Sequence, residues 1–124
     1  MKRKAFVLGV PLDLGASKQG ASGGPVAIRR AGLLKTLEGL GLDVEDAGDL
    51  TIPKSAAPKP RAKLKHGAAI LKVCRELEKR VYAAVKAGCV PITLGGDHSL
   101  GVGTVSGVSR AHREENRHIG LIWV

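Results

Sequence analysis

The stretch VPITLGGDHS, Val90 to Ser99, is the part of the sequence that decides the fold class. Its first half, Val90–Leu94, is a short apolar run rich in β-branched residues, which is typical of a buried strand. Gly95 and Gly96 then allow the backbone to turn tightly before a polar segment. Open parallel α/β sheets place their ligands at the carboxyl ends of strands. The stretch therefore predicts both a strand of such a sheet and a candidate site behind it.

The rest of the chain alternates strand and helix patterns on either side of this stretch. Apolar runs predict strands, and apolar positions at helical spacing predict helices. In chain order the predictions are strand Ala5–Val10, a helix from Pro25 ended by Gly39 and Gly41, edge strand Leu42–Asp46, a loop over residues 51–63, helix Leu64–Ala87, central strand Val90–Leu94, helix Leu100–Arg113 and strand Ile119–Val124. Right-handed crossovers wind this alternation into an open parallel sheet with helices on both faces. The predicted fold class is therefore α/β, with three α/β/α layers.

Two predictions concern packing near the end of the sequence. Trp123 is expected to be a core residue of the fourth strand. The helix Leu100–Arg113 is expected to face the core with an apolar stripe. That stripe consists of Leu100, Val102, Val105, Val108 and Ala111.

The composition limits the classes of function. A length of 124 residues with 44% hydrophobic content suits one domain or part of one. The net charge of +9 favours polyanions, but the basic residues are spread along the chain without aromatic residues that could stack on bases. Nucleic acid is therefore not the expected partner. Cys74 and Cys89 have no paired spacing, so we expect neither a disulfide framework nor a zinc knuckle. Neither a signal peptide nor a membrane span is recognisable, so the expected location is cytoplasmic.

His98 is the strongest candidate for chemistry. Its imidazole would stand at the mouth of the sheet, where a metal ion or a substrate could bind. Asp97 could orient a ligand, Ser99 could cap the next helix, and Gly95 and Gly96 set the loop geometry. Taken alone, a histidine in a glycine-rich turn is more often an ordinary hydrogen-bonded residue. His66, His112 and His118 are not expected to be metal ligands. Asp13, Asp46 and Asp49 are expected to serve turns and strand ends, as Asp commonly does.

Five segments of the chain resemble, in order, the arginases of the ureohydrolase family. They are VLGVPLDLG (Val7–Gly15), QGASGGPVAIRRAGLL (Gln19–Leu34), DVEDAGDL (Asp43–Leu50), LGGDHS (Leu94–Ser99) and GLIWV (Gly120–Val124). Together they span nearly the whole chain, and LGGDHS is the most specific. Agmatinases share several of these segments, whereas AGLL and DVEDAGDL look more like arginase. The second segment departs from many relatives, because Gln19 stands where they carry Arg.

The resemblance implies an arginase-like α/β/α fold and the hydrolysis of L-arginine to L-ornithine and urea. It also implies that His98 is one ligand of a two-manganese cluster that activates a bridging hydroxide, and that intact relatives form trimers or hexamers. In the family an Asp-x-His-x-Asp motif follows the strand that corresponds to GLIWV. Residues 1–124 contain no such motif. We therefore expect them to be the N-terminal portion of one ureohydrolase domain, without catalytic or substrate-binding residues of their own and inactive alone.

The sequence leaves other classes of function open. The chain could derive from an agmatinase or another ureohydrolase. Gly20, Gly23 and Gly24 before Pro25 could instead bind a phosphate at a helix N-terminus, although their spacing matches neither the dinucleotide nor the Walker pattern. A third class is non-catalytic, either a polyanion-binding protein or a subunit that associates with full-length copies. An unpaired strand edge would also favour self-association.

Overall fold

A three-stranded parallel sheet forms the centre of the computed structural model, which describes residues 1–58, 61 and 63–124. The strands are β1 (Lys4–Val10), β2 (Asp43–Asp49) and β3 (Cys89–Gly95), and they lie in the order β2-β1-β3. Both pairings are parallel. The described residues also form four helices, which are α1 (Gly24–Arg30), α2 (Leu33–Gly39), α3 (Gly67–Lys86) and α4 (Leu100–Arg113), and a 3-10 turn, Ala21–Gly23, precedes α1.

Strand β1 divides the core into two layers because its side chains alternate between the two faces of the sheet. Phe6, Leu8 and Val10 pack on one face with Leu77 and Val81 of α3. On the other face Val7 packs with two buried leucines, Leu37 of α2 and Leu94 of β3. Helices therefore cover both faces, and the predicted α/β class with three layers is confirmed.

Two predictions about the sheet and its helices need correction. The helix predicted from Pro25 is two helices, because the chain turns at Gly32 with φ of 96°. Strand β3, predicted to be central, forms the edge opposite β2 in the described residues, whereas β2 is an edge strand as predicted. The loop predicted over 51–63 contains no helix or strand at 51–58, 61 and 63, and residues 59, 60 and 62 lie outside the described residues.

The predicted fourth strand is also wrong. Residues 119–124 form neither strand nor helix, and Trp123, expected in the core, is 60% exposed. An apolar run becomes a strand only when a neighbouring strand offers it a ladder of hydrogen bonds. In the described residues this segment pairs with no strand, although the outer edge of β3 carries none, and it lies against α4.

The buried face of α4 consists of small residues. Gly103, Gly107 and Ala111 are buried, whereas Val102, which was predicted to face inward, is 64% exposed. A Cβ placed on Gly103 would lie 2.6 Å from the carbonyl oxygen of Cys74 in α3. The two helices therefore approach so closely that only small residues fit between them.

An ion-pair cluster fastens α1 to the edge strand β2. Arg29 donates from Nε and Nη2 to the Asp46 carboxylate at 2.9 and 2.8 Å, and from Nη1 to Asp49 at 2.5 Å. Asp46 also accepts a bond from the Gly48 amide at 3.0 Å. The hydrogen bond from Arg29 is the main reason why the pKa of Asp46 is lowered. The same bond is the main reason why the pKa of Arg29 is raised. Asp46 and Asp49 thus have structural roles, as expected.

None of the helices in the described part of the chain is long and apolar enough to cross a lipid bilayer.

Candidate functional site

The loop behind β3 is fixed against the loop behind β1 by main-chain hydrogen bonds. The amide of Asp97 donates to the carbonyl of Leu12 at 2.7 Å, and the amide of Gly96 donates to the carbonyl of Ala21 at 3.3 Å. Gly96 has φ of 86°, and a Cβ there would lie 2.6 Å from the carbonyl oxygens of Val10 and Leu12. The tight turn predicted at this position therefore depends on a residue without a side chain.

The carboxylate of Asp97 connects the same two loops through its side chain. One oxygen accepts a hydrogen bond from the Gly15 amide at 2.7 Å. The other accepts from the Ser99 amide at 2.9 Å and from the Ser99 hydroxyl. Ser99 stands at the N-cap of α4, but its hydroxyl bonds to Asp97 and not to a helix amide. Asp97 and Ser99 thereby hold the backbone on both sides of His98.

His98 projects from this fixed loop as an exposed side chain. Its ring centroid lies 5.7 Å from that of Trp123, with the two planes inclined by 43°. Both residues border a cleft of about 360 Å³ between the end of β3 and α4. The cleft walls include Thr93, Gly95, Leu100, Thr104, Leu121 and Ile122. The imidazole is therefore accessible at the carboxyl end of the sheet, the place predicted from the sequence.

The described residues do not complete a metal centre. Within residues 1–58, 61 and 63–124, no three His, Cys, Asp or Glu side chains come together to hold an ion. Both oxygens of Asp97 are already occupied by the loop. Manganese prefers several carboxylate oxygens with some imidazole, and His98 supplies only one imidazole. Any metal site that includes His98 needs ligands beyond those in the described part of the chain.

The other histidines have separate surroundings. His66 lies just before α3, where its Nδ1 is 2.7 Å from the Ser55 hydroxyl. His112 lies in the last turn of α4, and His118 is exposed in the segment that follows it. None of the three is joined with His98 in a metal-binding group within the described residues.

The glycine-rich loop before α1 has a packing role. Asp13 accepts a bond from the Gly20 amide at 3.2 Å and so serves a turn, as expected. A Cβ on Gly24 would lie only 2.0 Å from the carbonyl oxygen of Gly95. The start of α1 is therefore pressed against the end of β3. Sequence reasoning missed this contact, because no local pattern shows which strand end a loop glycine will meet.

The comparisons with known proteins agree with the fold. The model of the arginase family matches residues 3–124. The hepatic arginase of Aquarana catesbeiana is 37% identical over 123 residues, which are 99% of this chain and 37% of that protein. The arginase of Bacillus caldovelox is 38% identical over 119 residues, covering 94% of this chain and 38% of the relative. The chain thus spans a little over a third of the length of these relatives.

Solved arginases share the fold over most of this chain. The arginase of Bacillus cereus matches with a TM-score of 0.78 and 39% identity, over 87% of this chain and 35% of that one. The native Bacillus caldovelox arginase matches with a TM-score of 0.81 and 36% identity, over 87% and 37%. The resemblance drawn from the five sequence segments is confirmed. On the family match over residues 3–124 and these shared structures, the chain belongs to the arginase family.

Proposed function

We propose that this chain provides the N-terminal part of a manganese-dependent ureohydrolase that hydrolyses L-arginine to L-ornithine and urea, and that His98 is one of its metal ligands. The observation that carries the proposal is the accessible imidazole of His98 on a loop that Asp97 fixes at the carboxyl end of the sheet. Family membership supports a hydrolase that acts on a guanidino group. The two relatives described above carry the name arginase, which favours L-arginine over agmatine.

The contribution of these residues is to position a single ligand. Asp97 accepts hydrogen bonds from the Gly15 amide in the loop behind β1 and from the Ser99 amide next to His98, so the imidazole is carried by a fixed backbone. Hydrogen bonds around a ligating residue help to orient it for metal binding. In this proposal Gly95 and Gly96 shape the loop, and the remaining ligands come from outside residues 1–124. We also propose a cytoplasmic location and, on the resemblance to arginases, a homo-oligomer, either a trimer or a hexamer.

A chimaera tests the part of the proposal that concerns these residues. This chain would replace the matching 119-residue stretch of Bacillus caldovelox arginase, to which it is 38% identical. With manganese and L-arginine, the chimaera is expected to release urea, whereas residues 1–124 alone release none because their described part lacks the other ligands. Circular dichroism and size-exclusion chromatography establish that the chimaera is folded. A folded chimaera without urea release, or turnover by the isolated chain, would contradict the proposal.

A further inference from the structure

Cys74 is a buried thiol on α3 that directly contacts the loop of His98. Its Sγ donates a hydrogen bond to the carbonyl oxygen of Ser99 at 3.2 Å, and the two residues are 25 positions apart in the sequence. Cys74 is only 5% exposed, and this burial raises the pKa of its thiol. The thiol therefore stays protonated at neutral pH and remains a hydrogen-bond donor.

The backbone of Ser99, directly after His98, is thus held from two elements of the fold. Its amide donates to the Asp97 carboxylate at 2.9 Å, within the loop behind β3. Its carbonyl accepts the bond from the Cys74 thiol, and so connects this loop to α3. The same carbonyl accepts a bond from the Val102 amide at 3.3 Å, in the first turn of α4. The thiol therefore acts where the His98 loop becomes a helix.

The close approach of α3 and α4 fixes the position from which the thiol reaches Ser99. A Cβ on Gly103 would lie 2.6 Å from the carbonyl oxygen of Cys74 and 3.1 Å from its Cα. The backbone that carries the thiol is therefore in contact with α4 about one turn after Ser99. Leu77, about one turn further along α3, is completely buried in the core. Cys74 thus stands on a part of α3 that has little room to move.

We propose that Cys74 is a positioning residue, which fixes the Ser99 carbonyl and thereby the backbone that carries His98. An intramolecular hydrogen bond favours the bonded arrangement by about two- to tenfold. The anchor itself rests on the observed contacts between α3 and the loop. Its consequence for metal binding rests on the proposed function, in which His98 is a ligand.

Hydrogen exchange of backbone amides in the 124-residue chain tests the anchor. The amides of Gly101 and Val102 donate to the carbonyls of His98 and Ser99, so their exchange rates report on the first turn of α4. Cys74→Ala is expected to raise both rates about three- to tenfold, because the donor is lost. Cys74→Ser differs from it only by a hydroxyl donor and should stay within about twofold of the wild type.

Cys89→Ala is the matched control for these two variants. This second cysteine stands at the first position of β3, at the opposite end of the strand from the His98 loop. Its replacement should leave the exchange rates of Gly101 and Val102 unchanged. The amides of β1 are measured at the same time, because they report on opening of the whole fold.

Three exchange results would overturn the proposal. Equal rates in the wild type and in Cys74→Ala would show that the thiol does not hold the loop. Equal increases in Cys74→Ala and Cys74→Ser would show that the sulfur acts by packing and not as a donor. An increase of the same size at the β1 amides would assign Cys74 to the stability of the whole fold.

The Bacillus caldovelox chimaera tests the consequence for the metal site separately. Cys74→Ala should raise the manganese concentration for half-maximal urea release by about two- to tenfold, and Cys74→Ser should restore it. An unchanged manganese requirement in Cys74→Ala would contradict a positioning role toward the metal site. A folded chimaera that is inactive without any substitution contradicts the proposed function instead, and the exchange rates still decide whether Cys74 anchors the loop.

Discussion

Gly24→Ala is expected to lower the free energy of unfolding by about 3 kcal/mol, a large part of the stability of a small domain. The new methyl carbon would lie 2.0 Å from the carbonyl oxygen of Gly95, far inside contact distance. That oxygen cannot move aside, because Gly95 is paired with Val10 at the end of the sheet and the next amide donates to Ala21. Relief of the clash therefore requires α1 to withdraw from β3.

Gly23→Ala is the matched control for this prediction. Gly23 is the adjacent residue, has an ordinary φ of −76°, and a Cβ there would meet nothing within 4 Å. Its unfolding free energy should therefore change by no more than about 0.5 kcal/mol. Guanidinium chloride unfolding, followed by far-ultraviolet circular dichroism, measures both variants. Equal midpoints for Gly24→Ala and Gly23→Ala would show that α1 does not press against the end of β3 as described.

Gly103→Ala is expected to destabilise the fold by about 2 kcal/mol, although alanine is the better helix former by about 1 kcal/mol. The added methyl carbon would lie 2.6 Å from the carbonyl oxygen of Cys74 and 3.0 Å from the Cβ of Leu77. Both atoms belong to the rigid helix α3, so the two helices must move apart. A loss of this size corresponds to a thermal midpoint lower by about 10 °C in a domain of this size.

Gly39→Ala provides the control in a helix without a close neighbour. Gly39 is the last residue of α2 and is exposed, and a Cβ added there would meet no atom within 4 Å. There the helix preference of alanine should act alone and raise stability by up to about 1 kcal/mol. The two substitutions are thus expected to have opposite signs in thermal unfolding. A rise in the midpoint for Gly103→Ala would contradict the close approach of α3 and α4.

Local sequence patterns predicted the strands and helices whose buried residues are hydrophobic and regularly spaced. Strand β1 carries a continuous apolar run, and α3 has apolar residues at helical spacing, so both were found within a few residues of their observed bounds. In α4 the same reasoning correctly chose Ala111, which is buried, and Leu100 and Val108, which pack against the core, but it also chose the exposed Val102. It missed the buried Gly103 and Gly107. Small residues give no hydrophobic signal. Their burial depends on how closely the partner helix approaches, which is a property of the tertiary fold.

The candidate site likewise has features that the sequence predicted and contacts that it did not. His98 and its loop were predicted because they lie next to each other in the sequence, directly after a strand. The bond between Asp97 and Gly15 joins residues 82 positions apart, and the Arg29 pair with Asp46 joins residues 17 apart. Such contacts depend on the order of strands in the sheet. Residues 119–124 were predicted to form a strand because they are apolar, but an apolar run does not show by itself whether the segment will pair with a strand.

The most direct test of the central claim is the rate of urea release by the Bacillus caldovelox chimaera carrying His98→Ala. We expect a rate at least about 100-fold lower than that of the unmodified chimaera with manganese and L-arginine, because loss of a ligand should cost at least as much as loss of a supporting residue. The control, His112→Ala, changes a histidine in the last turn of α4 and should keep its rate. A folded His98→Ala chimaera that releases urea as fast as the His112→Ala control would contradict the role of His98 in the site.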